Sequence, residues 1–290
     1  MGLSGDRLDA PAQDRNNLNP KFGLVWEPTE GTVVRGAVFR TVFKNLLYGQ
    51  TIEPTAVAGF NQLFDDFPAS TAWTYGVGLD QRISGDVFGG ISFFRRDLDV
   101  PFTDLLQGTP RNVEDEWQED VGSAYLYWTP GNRWSLGVEY YYENFSHDQY
   151  SGPQGIERVR THRLSPRINY FHPTGISTGI SAHYIDQDGD FINPSDQVYA
   201  GSDQFWVVDC SVSYRLPKRY GIISLEARNL FDESFRYQGT YPKHPGIVPE
   251  QQIIARLSVS FLGYESASEG GRRAAPSGCK QQPKNKEKLQ

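Results

Sequence analysis

The 290-residue chain is 38% hydrophobic and 13% aromatic, with a mean hydropathy of −0.53 and a net charge of −7. No apolar run approaches the roughly 18 residues of a membrane-crossing helix, which excludes that architecture but not crossing by strands, whose apolar residues occupy every second position. Residues 262–290 hold six basic and three acidic side chains, so the rest of the chain carries −10, and an acidic body argues against nucleic acid as a partner.

Residues 1–17 are polar, with no basic segment followed by an apolar one, and read as a disordered leader. Two-residue alternation then recurs, predicting strands at 21–28, 32–41, 70–83, 87–99, 115–129, 133–146, 157–172, 176–187, 203–216, 221–231 and 251–261. In the sixth of these, Trp134, Leu136, Val138, Tyr140 and Tyr142 share one face, opposite Ser135, Gly137, Glu139, Tyr141 and Glu143. The ninth sets Trp206, Val208, Cys210, Val212 and Tyr214 against Val207, Asp209, Ser211, Ser213 and Arg215. The last sets Ile253, Ala255, Leu257, Val259 and Phe261 against Ile254, Arg256, Ser258 and Ser260. No helical period is convincing, and residues 262–290 read as a disordered basic tail.

The connections are of two kinds. Short Gly- or Pro-containing turns at 28–31, 84–86, 129–132, 172–175 and 217–221 alternate with long polar stretches near 42–69, 100–114, 147–156, 188–202 and 232–250. Trp26, Trp128, Trp134, Tyr170, Phe171 and Tyr220 gather beside the short turns, as in an aromatic girdle at a membrane interface. The expectation is an all-β protein: an antiparallel transmembrane β-barrel, partial with about eleven strands over 18–261, with short periplasmic turns and long external loops. An odd number of strands, the first without a partner, implies that earlier strands are missing.

Several stretches resemble the carboxy-terminal barrel of the TonB-dependent receptor family. They are "LNPKFGLVWEPTEGTVVRGAVFRT", "LEARNLFDESFRYQ" with Asn229, Leu230, Phe231 and Asp232 at a strand exit, and "IIARLSVSF", whose final strand closes on the aromatic Phe261. The resemblance implies receptor-mediated transport in the bacterial outer membrane. It also implies contact with membrane lipid, with the barrel-assembly machinery and with a plug or amino-terminal domain not found in these residues. The chain is similar as well to barrels that follow tetratricopeptide repeats, where the barrel is an anchor or export pore. A soluble all-β binding module, such as a propeller, is the remaining alternative.

Glu139, Glu143, Arg163, Arg167, Arg215, Glu226, Arg228 and Arg256 fall on polar strand faces and are candidate lumen-facing charges. "DQDGDF", residues 186–191, alternates carboxylates, but lacks the Gly and Glu that an EF-hand loop requires and reads as an acidic external loop. The five histidines lack metal-ligand spacing, the two cysteines form neither a disulfide framework nor a metal motif, and no nucleophile motif occurs, so no cofactor, metal or catalytic residue is expected. The apolar residues of the 42–69 stretch, Leu46, Leu47, Phe60, Leu63 and Phe64, suggest a loop packed inward or against its neighbours.

Overall fold

Alternating residues make a strand only when each successive backbone edge finds a partner, and here the pairing is by nearest neighbours throughout. The computed structural model describes residues 1–10, 13–43, 56–61, 69–104, 111–147, 156–193, 195, 197–239 and 250–260. The strands are β1 (Gly2–Ala10), β2 (Gln13–Thr29), β3 (Thr32–Val42), β4 (Ala56–Val57), β5 (Phe60–Asn61), β6 (Thr71–Arg82), β7 (Val87–Asp104), β8 (Arg111–Trp128), β9 (Trp134–His147), β10 (Arg158–Phe171), β11 (Ile176–Ile192), β12 (Val198–Arg215), β13 (Gly221–Arg228) and β14 (Gln252–Val259). All but β4 and β5 form a single twelve-stranded antiparallel sheet in sequence order, and β4 and β5 make a small hairpin of their own.

Three expectations change. The polar leader over 1–17 is instead a hairpin, β1 against β2, with Gly2 opposite Lys21 and Ala10 opposite Gln13. Its polar residues hid the strand, because alternation of apolarity marks a strand only where one face meets an apolar medium. Among the described residues the sheet is therefore even-stranded, so the odd count expected from the sequence does not stand. The long-loop ends also run further than expected: β11 reaches Ile192 and β12 starts at Val198, so "DQDGDF" is strand and not loop. There, Asp188 lies 2.8 Å from Arg160, and Asp190 accepts the backbone N–H groups of Glu157 and Arg158. Phe261, Cys279 and the 262–290 tail lie outside the described residues.

One register row shows how the two faces sort. Leu79, Ile91, Ala124, Tyr140 and Leu164 stand side by side across five strands, all on the outer face. Trp26, Val77, Ile91, Ile180, Trp206, Leu225 and Ile253 are each more than 45% exposed on that face, an apolar belt far larger than water tolerates. On β12 the belt runs from Trp206 to Tyr214, bounded above by the Tyr184–Trp206 ring pair at 5.1 Å. Eight residues at roughly 3.4 Å each, inclined about 40°, rise about 21 Å, close to the apolar band of a membrane barrel.

The short turn at 84–86 is fastened by Asp86, whose carboxylate accepts the Ser84 hydroxyl at 2.8 Å and the Trp128 indole N–H at 3.1 Å. These two hydrogen bonds hold its pKa below the usual 3.8. A carboxylate depressed in the folded state stabilises fully above the unfolded value and loses that contribution as pH falls through the lower, folded one. Trp128 emission is expected to be flat from neutral pH down to about 4 and to change below it, and Asp86→Asn should abolish that transition.

Candidate functional site

The inner face of the wall carries the polar half of each strand. Register places all eight candidate charges on that one face: Thr161 opposite Glu143, Ser165 opposite Glu139, Arg163 opposite Tyr141, Ser211 opposite Glu226 and Ser224 opposite Arg256. The structure gathers only some of them. Arg167, Glu226 and Arg228 line one hollow of about 530 Å³, together with His183, Asp209 and Asn229. Glu226 and Arg228 are paired at 2.7 Å, and His183 Nε2 lies 3.7 Å from Asp209. Elsewhere, Glu139 accepts the Tyr127 hydroxyl at 2.6 Å, and the Arg163 guanidinium sits 5.0 Å from the centre of the Tyr141 ring. Arg215 and Arg256 stand apart from the hollow's lining.

Among the described residues, two segments fold back onto this face. The first is the β4–β5 hairpin, which turns at Ala58 and Gly59 with φ of 48° and 86°. Phe60 is buried against Ala37, Phe39 and Phe94. Gly76 makes its seat: a Cβ there would fall 2.7–2.8 Å from the Phe60 ring, so no larger residue fits beneath it. Arg35 reaches over the same ring at 5.5 Å and pairs with Asp80 at 2.8 Å. Tyr125, two strands from Asp80, donates its hydroxyl to that carboxylate at 2.8 Å. It can cross β7 because Gly90 leaves the path open, where a Cβ would lie 2.6 Å from its ring.

The second inward segment starts at the quartet Asn229-Leu230-Phe231-Asp232. The expected strand to residue 231 ends at Arg228, although the Leu230 N–H still reaches the Val208 carbonyl at 2.8 Å. Asn229 is buried, has φ of +47°, and clasps both the N–H and the carbonyl of Glu233 through its side-chain amide. Asparagine is suited to such a left-handed turn because its short amide closes the loop on its own backbone. Phe231 points away, 72% exposed. Beyond it the chain bends inward: Phe235 stacks on Phe205 at 4.0 Å, and Gln238 exchanges hydrogen bonds with the fully buried Gln187. Burial pushes the Tyr237 phenol up, with the Glu143 charge adding to the effect.

The Arg35–Asp80–Tyr125 set, the Arg96–Glu119 pair at 2.6 Å and the Gln187–Gln238 clasp were not foreseen from sequence. Each member except Gln238, which lies beyond the last residue of β13, occupies a polar-face strand position, and that was the only signal available. Among the described residues, no group of three or more His, Cys, Asp or Glu is placed to hold a metal ion.

This wall, with short turns at one end, an apolar belt outside and a charged inner face, matches the family model described as TonB dependent receptor-like, beta-barrel, over residues 2–230. The chain belongs to the TonB-dependent receptor β-barrel family. Solved structures of the same fold include P. aeruginosa FpvA bound to heterologous pyoverdines, 13% identical, with a TM-score of 0.57 over 87% of this chain and 34% of that one. The ferric-catecholate import receptor Fiu from K12 E. coli is 18% identical, with a TM-score of 0.54 over 86% of this chain and 36% of that one. The FrpB iron transporter from Neisseria meningitidis is 14% identical, with a TM-score of 0.54 over 76% of this chain and 36% of that one. This TonB-dependent receptor barrel segment thus spans about a third of the length of the structures it matches. No curated protein sequence matches the chain. Barrels of this family stand in the bacterial outer membrane, so the short turns are periplasmic and the long loops external.

Proposed function

We propose that this barrel segment is part of a receptor that carries a ligand across the outer membrane, and that its inner face is the contact surface for a plug-type domain. The observation that carries the reading is the hollow lined by Arg167, His183, Asp209, Glu226 and Arg228, which joins both signs of charge on a barrel wall of this family. Mixed, partly paired charges suit a polar protein surface that must dock and be released, since paired groups exchange partners without leaving a bare charge in a low-dielectric site. The family match supports the receptor over an export pore attached to tetratricopeptide repeats and over a soluble binding module. Ferric chelates are the first ligand class to try, given the iron transporter and the ferric-catecholate receptor among the similar folds.

The test is uptake of a panel of labelled ferric chelates by cells lacking the gene and by the same cells with it restored. Protonophore-sensitive uptake that returns with the gene supports the reading. Uptake insensitive to the protonophore, or no difference between the strains on any chelate, would refute it.

A further inference from the structure

The lipid-facing side of the wall is not uniform. Between β6 and β10 it carries a hollow of about 440 Å³, lined by Leu79, Ile91, Ala124, Leu126, Val138 and Leu164. It exists because Gly89 and Ala124, at its centre, have almost no side chain, whereas their neighbours Ile91 and Leu126 stand out at 60% and 44% exposure. The volume is within the range of small-molecule sites, about 300–1,000 Å³.

Its direction is informative. Leu79, Ile91, Ala124, Tyr140 and Leu164 form one row across five strands, four spacings of about 4.8 Å and so about 19 Å long, the scale of a fatty acyl chain. The row climbs: Leu79 lies five residues from the periplasmic turn that begins at Ser84, and Leu164 lies eight from the turn that begins at His172. Few polar groups meet it. Gln81 is at the periplasmic end, bonded to Thr32, and the Tyr140 hydroxyl is turned aside to His162 at 2.7 Å. A hollow that opens at the periplasmic interface and rises obliquely toward the bilayer centre has the course of a lipid tail in that leaflet.

We propose that this hollow seats one acyl chain of a periplasmic-leaflet glycerophospholipid, with its headgroup at the Gln81 end and its tail rising past Ala124 toward Leu164. The seat is continuous with the belt already in contact with lipid, and stands whether or not the chain transports a ligand. It makes one patch of the wall a specific lipid site among general solvating contacts.

The full chain, reconstituted in phosphatidylethanolamine vesicles containing a trace of the same lipid with a diazirine on its acyl chain, is irradiated and mapped by peptide mass. Label is expected to concentrate on the β7 and β8 peptides holding Gly89–Ile91 and Ala124–Leu126, about tenfold over those holding Ile180 or Ile223. Ala124→Phe, which fills the hollow, should remove that excess and leave labelling at Ile180 unchanged, the latter showing that the wall still forms. Even labelling along the whole belt, or an excess that survives Ala124→Phe, would overturn the proposal.

Discussion

Phe60→Ala is expected to release the β4–β5 hairpin from the inner face while leaving the twelve-stranded wall in place. Two residues on each side are far too few for a hairpin to persist in water, so its position depends on packing against the wall, where Phe60 is its buried anchor and Val57 and Ala58 pack beside it. Phe60 is 4% exposed, meets Phe94 edge-on at 6.5 Å and lies under the Arg35 guanidinium. Truncating a buried Phe costs about 3–5 kcal/mol, a shift of at least two decades in the seated-to-released ratio. Labelling of Ala58→Cys by a water-soluble maleimide reads that shift directly. Gly76→Val should release the hairpin by the opposite route, since valine suits a strand but its side chain occupies the space of the ring. Because both changes remove the same contact, the double variant should be little worse than either alone. Additive effects would mean that Gly76→Val acts on the sheet and not on the seat.

Ile180→Arg is expected to lower stability by about 2–4 kcal/mol when the chain is folded into phospholipid vesicles. Ile180 is 60% exposed on the outer face, midway between Ile176 beside the periplasmic turn and Tyr184 at the upper girdle. In a water-soluble sheet the same change at so exposed a position would move stability by no more than about 0.5 kcal/mol. The size of the effect therefore reports the medium facing the residue. Ser181→Lys, one position along and on the inner face opposite Asp209, should be tolerated to within about 1 kcal/mol. Urea unfolding in vesicles measures both. Equal, small effects at the two positions would remove the lipid from the outer face.

What the sequence determined by itself is whatever the pleat makes local. Alternation in 133–146 and 203–216 assigned each residue to a face, and the register keeps those assignments: Leu126 meets Val138 outside, and Tyr125 meets Glu139 inside. The rhythm of short turns and long loops, and the quartet at 229–232, pointed to the family in the same way, since turn chemistry depends on residues a few positions apart. The leading hairpin was illegible because β1 has too few apolar residues to show alternation.

The interior arrangement was decided only by tertiary structure. Phe60 reads as one more apolar residue in a loop until Gly76, on a different strand, provides the space beneath it. Gln187 and Gln238 are 51 positions apart and are unremarkable polar residues until the chain bends inward at Asn229 and makes each the other's partner. A strand's faces follow from its own neighbours, whereas a void, and what fills it, belongs to several strands at once. That is why the lipid-facing wall could be read from the chain, while its inward-folded segments, the charged hollow and the acyl-chain seat could not.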